Sequence, residues 1–249
     1  FFNHLRREDE ALRFLDAASG GDAPDAEAAR LYERIYEARG NWSMAVEGVL
    51  RQARAAEGDE AVGHYLRAAQ RRLETLHDRD GAAEIYRQVL DVDPENADAL
   101  RFLGGHLYDA GDLEGAVAIY ARMVEEEAER DLDDFDVQIE VALFFFRFAE
   151  SLRQLDRLDD ALTRYEQGLN LNASHLPSLE AVGPLYMDAE RWTDAARVYR
   201  QILQLTGGQG DPERLARVYS CLGTVEHAQG NTEKAVRRYK KALELQPND

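Results

Sequence analysis

A single cysteine, Cys221, stands in 249 residues, so no intramolecular disulfide framework exists and no oxidising compartment is needed. That usage suits the cytoplasm, with the periplasm as the alternative. Cys221 falls in a helical pattern, where a small packing residue is a simpler reading than a reactive thiol. No apolar run approaches the ~20 residues of a membrane helix; the most apolar stretch, Leu143 to Phe148, is far shorter. Positive charge is scarce too: 30 Lys and Arg face 48 Asp and Glu, for a net charge of −18. This is a poor match to nucleic acid or to an anionic membrane surface. The six histidines include no His-Glu-x-x-His pair, which would set two zinc ligands one turn apart. No serine elbow, dinucleotide fingerprint or phosphate loop is present. The expectation is a non-enzyme with no catalytic, cofactor-binding or metal-binding residues.

What the chain does have is a rhythm, clearest at its end. Ala216 to Asp249 reads as two amphipathic helices, with Tyr219, Leu222 and Gly223 on one face of the first and Ala235, Tyr239 and Ala242 on one face of the second. Gly230-Asn231 breaks the pattern between them, and Pro247 forbids continuation. The same alanine recurs at Ala11, Ala45, Ala82, Ala116, Ala161, Ala195 and Ala235. Half of the intervals are about 34 residues; those before Ala82, Ala161 and Ala235 are longer, and the one before Ala161 is the longest. Four residues after each alanine comes Leu15, Val49, Tyr86, Tyr120, Tyr165, Tyr199 or Tyr239. Twelve residues before, Gly104, Ala149, Gly183 and Gly223 are small, while Glu33 and Gln70 depart from the pattern. An irregular bundle has no reason to keep such a register.

This pattern resembles the tetratricopeptide repeat (TPR), a helical hairpin of about 34 residues. The resemblance implies an all-α, right-handed α-solenoid spanning 1–249: a partial repeat over 1–25, then complete repeats at 26–62, 63–96, 97–141, 142–175, 176–215 and 216–249. Phe1 to Ala18 is expected to hold the end of one helix and a second helix, with Phe2, Leu5, Ala11, Leu15 and Ala18 buried. The chain starts inside a repeat and lacks a final capping helix, so a fragment of a longer protein is expected. Ser19–Pro24, Glu57–Glu60 and Thr206–Pro212 are expected loops. The acidic run Glu125–Asp136 sits in the longest interval and is expected to be a solvated helix extension and loop rather than a calcium site. Trp42 is expected to pack between hairpins, and Pro184 to kink its helix or shift its bounds.

In this family the first helices of the hairpins line a concave groove that binds peptides. Fifteen residues before the alanines stand Arg30, Arg67 and Arg101; eleven before stand Arg34 and Arg71. Phe146 falls on the same groove face. Neighbouring acids offer local pairing as the plainer alternative. Five arginines in so acidic a chain otherwise suggest capture of an extended acidic peptide. The expected function is a non-catalytic protein–protein interaction scaffold. The alternative is a regulatory or targeting arm of a longer enzyme, such as a glycosyltransferase or kinase. Head-to-tail self-association through uncapped ends is a further expectation. The family's clamp for C-terminal carboxylates is not matched, since its asparagines are absent here.

Overall fold

The computed structural model describes residues 2–19, 25–129, 133–207 and 211–246. Within them the chain forms thirteen helices and no strand. It divides into two compact units, Phe1–Met123 and Val124–Asp249. The first contains α1 (Phe2–Ser19), α2 (Ala26–Ala38), α3 (Trp42–Ala55), α4 (Gly58–Thr75), α5 (Arg79–Val92) and α6 (Ala97–Ala110). The division falls inside α7 (Leu113–Glu129). The second unit continues with α8 (Phe135–Gln154), α9 (Leu158–Leu171), α10 (Leu176–Asp188), α11 (Trp192–Leu205), α12 (Pro212–Ala228) and α13 (Thr232–Leu245). Within each unit the helices pack chiefly against their neighbours in sequence, as in α2 on α3 or α12 on α13.

The alanine register decides this packing. Ala45, Ala82, Ala116, Ala161, Ala195 and Ala235 are all buried. Five residues before each alanine the chain turns through the left-handed region, at Gly40, His77, Gly111, Asp156, Glu190 and Gly230, with φ between 53° and 79°. Glycine accepts that conformation without strain; the other three side chains do not. The next residue caps the second helix. Asn41, Asp78 and Asp112 accept the backbone N–H three residues on, which supplies an acceptor to an otherwise unpaired donor. Arg157 and Arg191 lack such an acceptor and instead pair with Asp160 and Asp194, in the first turn of each helix.

The small residues twelve before the alanine let the tyrosine four after it lie across the hairpin. A Cβ added at Gly104, Gly183 or Gly223 would come within 2.7–2.8 Å of the ring of Tyr120, Tyr199 or Tyr239 respectively. Van der Waals contact there excludes any larger side chain.

Several expectations are corrected. Residues 2–19 form one unbroken helix rather than parts of two, with Arg6 helical at the position where the later hairpins turn. Leu12 is the buried residue there, Ala11 and Leu15 are half-buried, and Ala18 is exposed; the side chains of Phe2 and Leu5 lie outside the described residues. Gly58 to Glu60 open α4 instead of forming a loop, so the added residues lengthen α4 to 18 residues. Trp42 is 43% exposed and does not serve as a core residue. The helix α10 runs through Pro184 with its start where the register puts it. The acidic insertion is shared by a lengthened α7 of 17 residues and α8 of 20. Residues 130–132 of that run, most of Ser19–Pro24, residues 208–210 and Pro247 fall outside the described residues.

Candidate functional site: the groove face

The groove register places Arg30 and Arg34 on α2, Arg67 and Arg71 on α4, and Arg101 on α6. In the first unit the structure ties two of these together through carboxylates. Glu33 occupies the slot where other hairpins hold a small residue and is only 7% exposed. Its Oε2 accepts from Gln52 Nε2 at 2.5 Å and from Arg67 Nη2 at 3.1 Å. Its Oε1 lies 2.9 Å from Arg71 Nη1, while Arg71 Nη2 lies 2.6 Å from Glu37. Arg67 also donates to Gln52 Oε1 at 3.2 Å. A buried carboxylate must be compensated by cations and donors. Two of the five arginines, Arg67 and Arg71, therefore answer this buried acid of the chain itself.

Arg30 and Arg34 are exposed. Arg30 stands 4.0 Å from Glu60, which also lies 3.8 Å from His64 Nε2. Burial, and then the Arg67 guanidinium, push His64 below its usual range. Arg101 pairs with Asp98 at 3.2 Å on its own helix, a surface pair worth ~0–1 kcal/mol. It also stands at an open pocket of about 470 Å³ lined by Leu66, Gln70, Tyr86, Asp98 and Phe102. Gln70 takes the slot of the usual small residue here, and Tyr86 stacks on Phe102 with centroids 4.4 Å apart.

The second unit carries different groups at the same register: Phe146 and Glu150, Glu180 and Pro184, Ser220 and Thr224. Phe146 is half-buried, edge-on to His175 at 4.9 Å and tilted on Tyr165 at 6.2 Å. Burial pushes His175 down, and its Nδ1 lies 2.7 Å from Ser178 Oγ. Burial alone would raise the Glu150 carboxyl, but hydrogen bonds from Arg153 and Tyr165 outweigh it and hold the group below its usual range. A pocket of about 420 Å³ lies between Glu180, Pro184, Tyr199, Arg214, Arg217 and Cys221. Cys221 is thus a half-buried wall residue of a cavity. Pro184 has no N–H to offer the Glu180 carbonyl, so that acceptor lacks its usual helical donor.

Sequence reasoning singled out the arginine row but not Glu33, which holds Arg67 and Arg71, nor Gln52, Glu60 or these two pockets. The available signal was the departure at Glu33 and Gln70, where a polar side chain replaces a small one. Among the described residues no group of three or more His, Cys, Asp or Glu is arranged to hold a metal ion, and no helix is long and apolar enough to cross a membrane.

Two family models, each described as tetratricopeptide repeat, match residues 66–131 and 176–248. No curated protein matches the chain. Solved structures with a similar fold include a MamA protein, at 22% identity over 75% of this chain and 92% of that one, with a TM-score of 0.53. YrrB, "a TPR protein with an unusual peptide-binding site", covers 74% of this chain and 86% of its own at 18% identity and a TM-score of 0.55. The C-terminal part of a TPR repeat-containing protein from Cytophaga hutchinsonii covers 97% and 91% at 13% identity and a TM-score of 0.52. At such identities the likeness concerns the fold. Repeated helical hairpins in this register and the two family matches together identify the chain as a member of the tetratricopeptide-repeat family.

Proposed function

We propose that the groove face of α2, α4 and α6 binds an extended acidic segment of a partner protein. As a TPR chain the protein is an interaction scaffold; the finer reading concerns what the groove selects. A bulky apolar side chain of the segment enters the pocket of Leu66, Tyr86 and Phe102, and a neighbouring carboxylate meets Arg101. The observation that carries this is the pocket itself, which has aromatic walls and a guanidinium beside it in the same register as exposed Arg30 and Arg34. Arginine suits the task because its planar fork binds carboxylates in bidentate fashion. Packed helices lie about 10 Å apart and an extended chain advances ~3.3 Å per residue, so about every third residue meets a new helix. Arg67 and Arg71 hold Glu33 and give the groove its shape. Phe146, packed on His175 in the second unit, is not needed for this segment.

Panning a phage-displayed peptide library on the purified chain tests the reading. The expected consensus places Asp or Glu within three residues of Phe, Tyr or Leu. Selected peptides should weaken as salt rises. They should also fail to bind an Arg30→Glu/Arg34→Glu/Arg101→Glu variant whose helical circular dichroism is unchanged. A basic consensus, or undiminished binding to that variant, would place the binding surface elsewhere.

A further inference from the structure

Of the first helices of the six hairpins, α8 starts the earliest relative to its alanine, ahead of α4 and α12. Counted back from their alanines, α2, α6 and α10 begin at one common position, which for Ala161 would be Ala142. The α8 helix begins at Phe135 instead, about two helical turns sooner. Of the added residues only Val141 joins the hairpin core, which also takes Phe144, Phe145 and Phe148 from that side of the helix. Instead, Phe135, Ile139 and Leu143 are 71%, 41% and 40% exposed. Spaced four apart, they form one stripe along a single face. One residue further round from Phe135 and Ile139 lie Asp136 and Glu140, both exposed, and Asp133 and Asp134 stand at the N-terminal end. The other flank carries Gln138 and Ala142 and no charge. The stripe is therefore apolar along its length and acidic along the edge beside Phe135 and Ile139, with Arg147 further along the same side, a turn beyond Leu143.

We propose that this stripe is a docking surface for an amphipathic helix of another protein, one whose apolar face is bordered along one edge by Lys or Arg. The apolar residues supply attraction by leaving water. The acidic edge sets which helix is accepted and how it lies, since charge complementarity governs specificity and approach more than strength. A second copy of this chain carries a net charge of −18 that opposes approach, and the exposed Val236 and Leu243 of its α13, beside Arg237, Lys240 and Lys241, make self-association the competing occupant that the test must separate. The acidic edge equally disfavours an anionic lipid surface.

The test uses three synthetic helical peptides of about 18 residues, roughly 27 Å long, alike in their apolar face and differing only in one edge: Lys, Gln or Glu. Binding to the full chain is read by fluorescence anisotropy. The Lys-edged peptide should bind roughly three- to ten-fold tighter than the Gln-edged one, as expected for two or three exposed ion pairs. The Glu-edged peptide should bind weakest. Ile139→Asp should abolish binding of all three, and because Ile139 is exposed this variant should keep its helicity. Asp136→Lys/Glu140→Lys should invert the order of the three peptides. Three outcomes would overturn the proposal: equal affinity for all three peptides, no binding by any, or Lys-edged binding that survives Ile139→Asp. Self-association of the parent chain, measured by sedimentation and lost in Ile139→Asp, would also overturn it by assigning the stripe to a second copy.

Discussion

The hairpins α2–α3 and α10–α11 solve one packing problem in opposite ways. In α10–α11 the slot twelve residues before the alanine holds Gly183, and the ring of Tyr199 lies over it; an added Cβ would come 2.8 Å from that ring. In α2–α3 the slot holds Glu33, and the residue opposite is Val49, too small to span the gap. The glycine has moved to the other helix: a Cβ on Gly48 would stand 2.8 Å from the Glu33 Cα. The tyrosine closes its own hairpin, whereas Glu33 reaches out to Arg67 and Arg71 on α4 and so ties one hairpin to the next. The Gln70 slot is a third case, where Tyr86 stacks on Phe102 beside the open pocket. The two departures from the repeat pattern thus set a buried carboxylate between two arginines and an open aromatic pocket into the first unit.

Exchanging the two solutions should have the largest effect. Gly183→Glu would force a carboxylate against Tyr199 without a cation, and should cost about 3–5 kcal/mol in urea unfolding; a loss below ~1 kcal/mol would show that the slot yields easily. Glu33→Gly should cost ~2–4 kcal/mol, because it opens a void beside Val49 and strips Arg67 and Arg71 of their shared acceptor. Adding Val49→Tyr should recover ~1 kcal/mol or more of that loss. A double variant worse than the single one would mean that the slots are not interchangeable.

The turns sharpen the comparison on a smaller scale. Asp156→Gly and Glu190→Gly should each raise stability by ~0.5–1 kcal/mol in thermal melts, since relief of left-handed strain exceeds the added freedom of the unfolded chain. Gly40→Ala and Gly111→Ala should lower it by about 1 kcal/mol. Equal effects at all four positions would break the assignment of strain.

The smallest effect separates the two histidines. Both His64 and His175 are held below the ordinary value of 6.5. An unfolded chain binds the proton more readily than the folded one does. Their contribution is therefore complete above pH 6.5 and is lost as pH falls from there toward the lowered folded value. For His175 the cause is burial alone, so its share of the slope should be indifferent to salt. His64 also feels Arg67, Arg30, Glu60 and Glu33, so its share should change with ionic strength. Stability measured from about pH 7 to about pH 5 at two salt concentrations, with His64→Gln and His175→Gln, checks this. A salt-sensitive His175 slope would mean that a charge acts on it as well.

The chain's own pattern was enough for the helices after α1, the six buried alanines and the family. All of these rest on short-range regularities: what one helix face repeats, and where a side chain can or cannot turn the backbone. It also showed which positions departed from the repeat, at Glu33, Gln70 and the insertion before Ala161. What the departures do emerged from packing between hairpins. Arg71 had an acid, Glu74, within one helical turn on its own helix, yet it pairs with Glu33 and Glu37 on α2. Trp42 has the composition of a core residue and lies exposed, while Phe146 on the groove face turns to His175. Long arginines have many acids within reach, and an aromatic ring can pack on either side of a helix. Which contact forms depends on the cavity left between neighbouring hairpins, and that volume is set by residues far apart in sequence.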